Sequence, residues 1–551
     1  MTRRTLSAFL LILAMGCSSA GAPPRSQPTV GGTGSSAANT GTTAPPSTQE
    51  PSGPFERMVC GLPEKWVLRT LRGYYPGRSG EIQIIPKETN FFGAWSHSGP
   101  WNFLQEVPLL LYGPGHVPPV GEVGRPATMA DVAPTLAAYL GFDFDTPDGD
   151  VLREAVLPRA SPPKLIVVVV WDAGGRDVLD YYDHDWPNVR GMIDRGAWFA
   201  NTTVGSSPSV TPAVHTTLGT GVFPDRHGIL DLRIRQGKQL VGPILSGPQY
   251  LRSPTLADEY DRAMGNQPIM GFVASEPTLG MIGHGSYLKG GDRDIALGQR
   301  EGVWGLTDAN RKYFTFRDYV NDLPGLDRAI RELDIQDGQQ DGLWLGEDVF
   351  HDPYYILKTP AYAEYQTGVL RQVIRREGFG ADDVPDMLFT NYKQIDQVGH
   401  QWSWPSPEME GVVRSSDQAV GDLARILNQE VGHGQWVLAV TADHGATPKT
   451  EYSGGFHMDQ RALIGDLNAA FDDGDDVNVV QSFRVTQMWI NVAELKDVGA
   501  SLEDVARFLM RYTEGDNVPG TTDSPGTTVL EAAFPSYVLN DLPCDPRAGA
   551  G

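Results

Sequence analysis

The chain has 551 residues, of which 40% are apolar, so it can bury one large core or several ordinary ones. Its formal net charge of -24 at pH 7 argues against a duplex nucleic-acid binder, because such proteins present a basic surface to the phosphate backbone. A small anionic substrate is not excluded, since bound metal ions can outweigh the overall field locally.

The N-terminus is typical of a bacterial lipoprotein signal peptide. Two arginines precede the apolar residues 6–15, and the segment 1–17 ends in the lipobox-like sequence AMGC. The apolar stretch is too short to span a membrane. We expect cleavage before Cys17 and lipidation of that cysteine, which predicts an extracytoplasmic protein anchored to a bacterial membrane, in the periplasm or at the cell surface. The alternative is ordinary secretion, with Cys17 in the discarded peptide.

Residues 18–54 consist mainly of Ser, Gly, Thr, Pro and Ala. We expect a flexible tether here, because so few apolar groups cannot offset the entropy of ordering. If Cys17 carries lipid, Cys60 and Cys544 remain. Two cysteines in an oxidising compartment indicate one disulfide, and two unpaired buried thiols are the alternative.

From residue 164 onward, apolar strands alternate with helical stretches. Residues 165–171 (LIVVVVW), 387–392 and 436–441 are predicted strands covered on both faces. Residues 409–429 and 502–512 are predicted helices. This alternation predicts an α/β fold with a mostly parallel central sheet sandwiched by helices. Ligands of such sheets bind beyond the carboxyl ends of the strands.

Acidic residues and histidines follow the three predicted strands. Asp172 follows the first, Asp396 and His400 follow the second, and Asp443 and His444 follow the third. An Asp at one strand end is usually a loop or helix cap, but three carboxylates and two imidazoles at one sheet edge indicate a metal site. Nitrogen and oxygen ligands without thiolates suit zinc, with manganese or magnesium as alternatives. Two metals roughly 4 Å apart can promote phosphoryl transfer.

Residues 203–229 supply a candidate nucleophile. A Ser/Thr-rich turn leads into a helix-like stretch at Thr211, and the positive end of a helix dipole favours an anion there. The alternative is that Thr211 only caps the helix. We expect His215 and His227 to pack against or cap this helix.

Four motifs resemble the alkaline phosphatase superfamily, in particular its type I phosphodiesterase/nucleotide pyrophosphatase branch. They are VVVVWDAGGRDVL, SVTPAVHTTLGTGVFPDRHGI, IDQVGH and TADHGA, in that order. The resemblance implies two metal ions per chain, zinc in the first place, and a phosphothreonine intermediate. It assigns one metal to Asp172, Thr211, Asp443 and His444, and the other to Asp396, His400 and one further histidine.

The further histidine lies toward the C-terminus in the family, whereas here residues 78–141 resemble that C-terminal part and precede the rest. We therefore interpret the chain as circularly permuted, which is tolerated where termini are close and exposed. His97 then becomes the seventh ligand, with His457 as the alternative.

The proposed permutation divides the domain into three segments. Residues 55–156 are the permuted segment, 157–164 a joining linker, and 165–545 the main catalytic part. A Cys60–Cys544 disulfide is predicted to replace the peptide connection that the permutation removed.

The substrate is predicted from departures from the family pattern. Leu232 occupies the place of a phosphate-binding Asn, and the stretch that carries a Lys and an Arg in threonine-type monoesterases contains neither. Fewer charge-assisted donors favour a phosphodiester over a phosphomonoester, which remains the alternative. Arg233, Arg235 and His284 are candidate substrate contacts.

Other functions remain open within the same fold. They are a phosphoethanolamine-type transferase, whose relatives usually carry transmembrane helices, and an inactive binding lipoprotein. A sulfatase is disfavoured, because the sequence VTPAV lacks the C/S-x-P-x-R pattern of those enzymes. The expected partners are a small phosphate ester and, through the lipid anchor only, a membrane.

Overall fold

The structure is a computed structural model that describes residues 51–549, apart from 286–292, 301, 337, 472–473 and 475–476. The signal peptide, Cys17 and the tether up to residue 50 lie outside the described residues. No helix in the described part of the chain is long and apolar enough to cross a membrane.

A large sheet of nine strands in the described residues forms the centre of the fold, and five adjacent strands are parallel. In order across the sheet these are Ile295–Arg300, Met270–Ser275, Asp386–Tyr392, Leu165–Trp171 and Trp436–Thr441. Val303–Trp304 lies at one edge, and Leu109–Tyr112, Ala197–Phe199 and Gly121–Val123 complete the other. The three predicted strands are confirmed, one of them extended by a single residue at its start.

Helices cover both faces of this sheet. The side chains of Leu165–Trp171 are all 0% exposed, and alternate ones point to opposite faces. One face packs against Pro187–Ile193, Pro360–Glu377 and Pro407–Leu427, and the other against Val132–Leu140, Thr211–Thr220 and Leu256–Ala263. The predicted α/β sandwich is therefore confirmed.

A second, antiparallel sheet contains four strands. In order these are Val480–Arg484, Gln487–Ile490, Ile82–Pro86 and Leu530–Pro535. Its core includes side chains from the helices Pro54–Cys60, Glu64–Gly73, Gln460–Phe471 and Leu502–Arg511. The segment 55–156 thus contributes one strand to this sheet and others to the central one.

A disulfide joins Cys60, at the end of the first described helix, to Cys544 near the C-terminus. The two residues are 484 positions apart in the sequence, and their Cα atoms are 5.8 Å apart. The predicted pairing of these two cysteines is therefore present in the structure.

Short elements complete the fold. The remaining α-helices are Asn102–Gln105, Arg176–Tyr181, Pro224–His227, Leu326–Asp334, Pro353–Ile356, Gln394–Gln401, Thr450–Ser453, Val492–Asp497 and Glu514–Asn517. The short strand pairs are Phe91–Phe92 with His457–Met458, Ala127–Thr128 with Thr202–Thr203, and Ile234–Gln236 with Gln239–Val241.

One antiparallel strand determines where the N-terminal segment meets the rest. Leu109–Tyr112 runs opposite to Trp436–Thr441, with Leu109 beside Thr441. The start of this strand therefore lies at the edge where the parallel strands end. The loop before it, which carries His97, reaches the same edge from the other end of the sequence.

Candidate active site with two metal-binding groups

Six predicted ligands lie in two groups at the carboxyl edge of the parallel strands. One group is His97, Asp396 and His400, and the other is Asp172, Asp443 and His444. Within each group the ligand atoms lie within 4.8 Å of one another. The rings of His97 and His444 stack with centroids 3.8 Å apart, so the two groups are neighbours.

The Asp172 group is held by two adjacent strand ends. Ala173, the next residue, has a φ of 60°, in the left-handed region that a non-glycine residue rarely adopts. Its amide donates a hydrogen bond of 3.0 Å to Asp443 Oδ1. His444 Nδ1 donates to the Gly445 carbonyl at 3.0 Å, which leaves Nε2 free to bind a metal. The local backbone thus fixes the orientation of the ligands.

The His97 group joins one helix to the N-terminal loop. Asp396 and His400 are four residues apart on Gln394–Gln401, and so share a face of that helix. His400 Nδ1 donates to the Ala94 carbonyl at 2.7 Å, which again leaves Nε2 for a metal. His97 Nε2 lies 3.2 Å from Asp396 Oδ1 and 3.2 Å from His400 Nε2.

The donor atoms of both groups fit divalent metal ions. Asp172 Oδ1, Asp396 Oδ1, Asp443 Oδ2 and His444 Nε2 are buried without a hydrogen-bond partner. His444 Nε2 lies 3.3 Å from Asp443 Oδ2 and 3.6 Å from Asp172 Oδ1, so acceptors converge on a common point. An unpaired buried polar group costs about 1–3 kcal/mol, which metal coordination removes.

Burial shifts the pKa values of these ligands. It lowers the pKa of His97 and that of His444 to about 4, so both rings are neutral, as metal binding requires. Burial, with the Asp443 charge beside it, raises the pKa of Asp172. Burial acts in the same direction on Asp396, but Lys393 and His400 outweigh it and hold the pKa of Asp396 well below its usual range.

Thr211 is the first residue of the buried helix Thr211–Thr220, and it is 8% exposed. The capping position is taken by Val210, so a capping role does not account for Thr211. Its Oγ1 accepts a hydrogen bond of 3.2 Å from Lys393 Nζ. His215 Nδ1 donates to the Thr211 carbonyl at 2.8 Å, which fits the expected packing role of His215.

A cavity of about 450 Å³ opens at this edge of the sheet. Thr211, His97, Asp396 and His400 line it together with three cationic side chains, Arg300, Lys393 and Arg484. Much of the remaining wall is apolar and includes Leu232, Leu245, Pro277, Tyr354, Leu357 and Val485. Leu232 is 43% exposed and Tyr354 42%, so large apolar surfaces face this opening.

The predicted substrate contacts lie elsewhere. Arg235 pairs with Glu81 at 2.8 Å, and His284 Nδ1 lies 2.8 Å from Asp258 Oδ2. Arg233, Arg235 and His284 are not among the described residues that line the cavity. The structure thus does not bring these three predicted contacts to the cavity wall, and Glu81 holds Arg235 while Asp258 holds His284. His457 stacks on Phe91 at 4.8 Å and belongs to neither metal-binding group, whereas His97 belongs to one.

Lys393 is the functional candidate that the motif analysis missed. Its ammonium lies 2.8 Å from Asp172 Oδ2 and 2.9 Å from Asp396 Oδ2. Burial opposes its charge, but Asp172, Asp396 and Asp443 raise the pKa of Lys393 above its ordinary value. Lys393 directly follows the strand Asp386–Tyr392. The search for polar residues beyond the carboxyl ends of strands, which found the aspartates, could therefore also have found this lysine.

Comparisons with known proteins identify the family. The family model for type I phosphodiesterase/nucleotide pyrophosphatase matches residues 166–535, a stretch that leaves out His97. Alkaline phosphatase PafA of Elizabethkingia meningoseptica is 22% identical over 444 residues, covering 69% of this chain and 79% of PafA. A calcium-transporting ATPase of Myroides odoratus is 23% identical over 406 residues, covering 62% of this chain and 72% of the relative.

Another relative and a solved structure are also similar to this chain. Alkaline phosphatase PhoV of Synechococcus elongatus is 23% identical over 350 residues, covering 54% of this chain and 62% of PhoV. A crystal structure of wild-type PafA matches with a TM-score of 0.52 and 18% identity, covering 69% of this chain and 85% of that one. This structural likeness supports the alkaline phosphatase-like fold. The chain therefore belongs to the type I phosphodiesterase/nucleotide pyrophosphatase family of the alkaline phosphatase superfamily and is a metal-dependent phosphoric ester hydrolase.

Proposed function

We propose that the protein is a two-metal phosphodiesterase that uses Thr211 as nucleophile and passes through a phosphothreonine intermediate. The observation that carries this proposal is that the Thr211 hydroxyl and three ligands of one metal-binding group line a single cavity, beside the second group.

The proposed metals are two zinc ions, with manganese or magnesium as alternatives. Asp172, Asp443 and His444, together with Thr211, would hold one of them, and Asp396, His400 and His97 would hold the other. Bound there, divalent ions supply Lewis-acid chemistry, which favours loss of the threonine proton and stabilises charge on the leaving oxygen.

The proposed reaction consists of two displacements at phosphorus. Thr211 loses its hydroxyl proton to solvent, its Oγ1 bonds to phosphorus, and the phosphorus–oxygen bond to the leaving alcohol breaks, after which that oxygen takes a proton from water. A water oxygen then bonds to phosphorus, the Oγ1–phosphorus bond breaks, and one water proton passes to Oγ1. The net change converts a phosphodiester and water into a phosphomonoester and an alcohol.

The cavity wall favours a diester with an apolar ester group. Leu232, Leu245 and Tyr354 offer apolar contact area beside the nucleophile. A monoester dianion needs unpaired charge-assisted donors. Yet Lys393 is bound to two carboxylates, and Arg300 and Arg484 lie 3.4 Å and 3.7 Å from Glu276 and Asp231. A phosphomonoesterase is the second candidate, because PafA and PhoV, two of the relatives, are named alkaline phosphatases.

We also propose that the chain is a circular permutant of the family. Two features support this: the family match begins only at residue 166, and the preceding segment supplies His97 and the strand Leu109–Tyr112 to the same fold. The Cys60–Cys544 disulfide then holds together the two ends that a peptide would otherwise connect.

The proposed location is outside the cytoplasm, with a lipid on Cys17 at a bacterial membrane. The Cys60–Cys544 disulfide supports an oxidising compartment. The predicted signal peptide and anchor supply the attachment. Small phosphate esters are the proposed substrates, and the acidic net charge of -24 speaks against duplex nucleic acid as a partner.

The test of this function compares bis(4-nitrophenyl) phosphate with 4-nitrophenyl phosphate. Bound metal is counted in the same preparations by elemental analysis. For Thr211→Ala we expect kcat to fall by roughly 10³-fold or more, because the nucleophile is lost. His97→Ala should weaken metal binding by about 10–100-fold. Wild type should prefer the diester.

Two matched variants control the experiment. Thr211→Ser keeps a hydroxyl and should retain most activity, and His457→Ala removes a histidine that belongs to neither metal-binding group. If wild type prefers the monoester to the diester, the second candidate function, a phosphomonoesterase, replaces the first. Metal binding without turnover of either ester would overturn the proposed phosphodiesterase in favour of a transferase or a binding lipoprotein.

A further inference from the structure

The Lys393 side chain stands between the two metal-binding groups. Its ammonium contacts Asp172 of one group at 2.8 Å and Asp396 of the other at 2.9 Å. It also donates to Thr211 Oγ1 at 3.2 Å, and its side chain is only 14% exposed. An ammonium has three donor hydrogens, and these three contacts use all of them.

The two carboxylates divide their oxygens between Lys393 and the metal positions. Lys393 binds Oδ2 of Asp172 and Oδ2 of Asp396. The other oxygen of each carboxylate, Oδ1, is buried without a hydrogen-bond partner. Asn391 donates to the same Oδ2 of Asp172 at 2.9 Å, so this oxygen is already satisfied from the protein side. On the two carboxylates, the ammonium therefore occupies different atoms from those that are left for metals.

The oxygens that Lys393 contacts distinguish between two roles for a lysine at this position. A lysine that only stands in for a missing metal would occupy the converging acceptors and would have to leave when the metal binds. Lys393 leaves those acceptors free, and its third contact is the proposed nucleophile. Its contacts to the carboxylates are compatible with metals bound in both groups, and it uses only one of the two acceptor lone pairs of Thr211 Oγ1.

We propose that Lys393 is a further catalytic residue of this site, a fixed hydrogen-bond donor to Thr211 Oγ1 that also orients one carboxylate of each metal-binding group. This inference rests on the proposed function, because it assigns Oγ1 as the attacking atom. The bond from Lys393 strengthens as negative charge develops on Oγ1 during attack, and again when the Oγ1–phosphorus bond breaks. The lysine keeps its own proton throughout, so the reaction needs no added donor or acceptor.

The test uses the full chain with three variants. Lys393→Met removes the ammonium at similar volume, Lys393→Arg keeps a cation, and Lys164→Met removes a lysine at the start of the central strand, at the opposite edge of the sheet. Zinc affinity is measured by competition with a chelator, and kcat and KM are measured separately on bis(4-nitrophenyl) phosphate.

We expect Lys393→Met to lower zinc affinity by about 10–100-fold, because two carboxylates lose their orientation. At saturating zinc its kcat should fall by roughly 10²–10³-fold, as when one donor to a developing anion is removed, while KM changes little. Lys393→Arg should recover part of both losses, and Lys164→Met should match wild type.

The opposite result overturns the inference. If Lys393→Met binds zinc more tightly and keeps its kcat, the lysine competes with metal and takes no part in the reaction. Failure of the proposed function looks different: Thr211→Ala would then match wild type in every assay. In that case the zinc affinity of Lys393→Met still tests the orientation of the two carboxylates.

Discussion

His227 shows how a single buried residue makes the fold sensitive to acid. Its Nδ1 accepts a hydrogen bond of 3.1 Å from the Ile229 amide, and its Nε2 lies 3.1 Å from Thr217 Oγ1. Burial lowers the pKa of the His227 imidazole from 6.5 to about 3. The uncharged ring therefore ties the end of the helix Thr211–Thr220 to the following loop.

The pKa of His227 predicts a loss of stability in acid. Below pH 6.5 the unfolded chain binds a proton at this ring, while the native state takes it up only near pH 3. Each pH unit between these values costs about 1.4 kcal/mol, so up to about 3 kcal/mol is lost between pH 6.5 and 4. Urea unfolding of wild type and His227→Gln should show their difference shrinking by that amount as the pH falls.

The same denaturation series with His433→Gln, at an exposed histidine, controls for the removal of any histidine ring. A stability difference between wild type and His227→Gln that stays constant from pH 7 to pH 4 would contradict a buried neutral role for His227.

At the scale of secondary-structure elements, one short helix is attached to the rest by a covalent bond. Phe55 and Val59 of Pro54–Cys60 pack into the core of the second sheet, and Cys60 is bonded to Cys544. The bond closes a loop across 484 positions. In the chain-entropy picture, a cross-link over such a long loop restricts the unfolded chain more than the folded one.

Removal of this disulfide should destabilise the fold without disturbing the chemistry. For the double variant Cys60→Ser/Cys544→Ser we expect the free energy of unfolding to fall by about 2–5 kcal/mol. Because neither cysteine lines the cavity in the described residues, kcat at 25 °C should be unchanged. Denaturant titration measures the first effect and steady-state kinetics the second.

Reductant provides the internal control. It should lower the free energy of unfolding of wild type and leave that of the double variant unchanged. Mass spectrometry without reduction should find the two cysteine-containing peptides linked. Free thiols at both positions would refute the covalent closure.

At the scale of the whole molecule, the proposed permutation predicts that the chain can be rearranged. The Cα atoms of Cys60 and Cys544 are 5.8 Å apart, so a short linker can join the two regions. Residues 158–162 are exposed and lie outside helices and strands, where a chain break is tolerated. A variant that begins at residue 163, continues to 545 and then resumes at 55 should therefore fold and remain active.

Circular dichroism, zinc content and diesterase kinetics test the rearranged protein. We expect wild-type zinc content, and kcat within roughly threefold of wild type, because every contact of the site is preserved. As a control, the same chain without residues 55–156 loses His97 and three strands of the two large sheets, and should neither fold nor retain the second metal. An unfolded or metal-free rearranged protein would argue against the permutation.

The sequence by itself determined the central strands and most of the candidate metal-binding residues. Apolar runs such as 165–171 predict buried strands from local composition alone, and a parallel sheet brings the residues after those strands to one edge. Asp172, Asp443 and His444 were found in this way. The Cys60–Cys544 pairing followed from the cysteine count, whereas the assignment of His97 depended on the resemblance to a family, because no local pattern relates such distant positions.

The tertiary structure alone decided which charges face the cavity. Arg235 is held by Glu81 and His284 lies against Asp258, whereas Arg300 and Arg484 reach the cavity from strands of two different sheets. The charge of a side chain is visible in the sequence, but its partners come from segments far along the chain and depend on how the sheets pack. For this physical reason the charged side chains of the cavity wall, unlike the candidate metal ligands, emerged only from the folded protein.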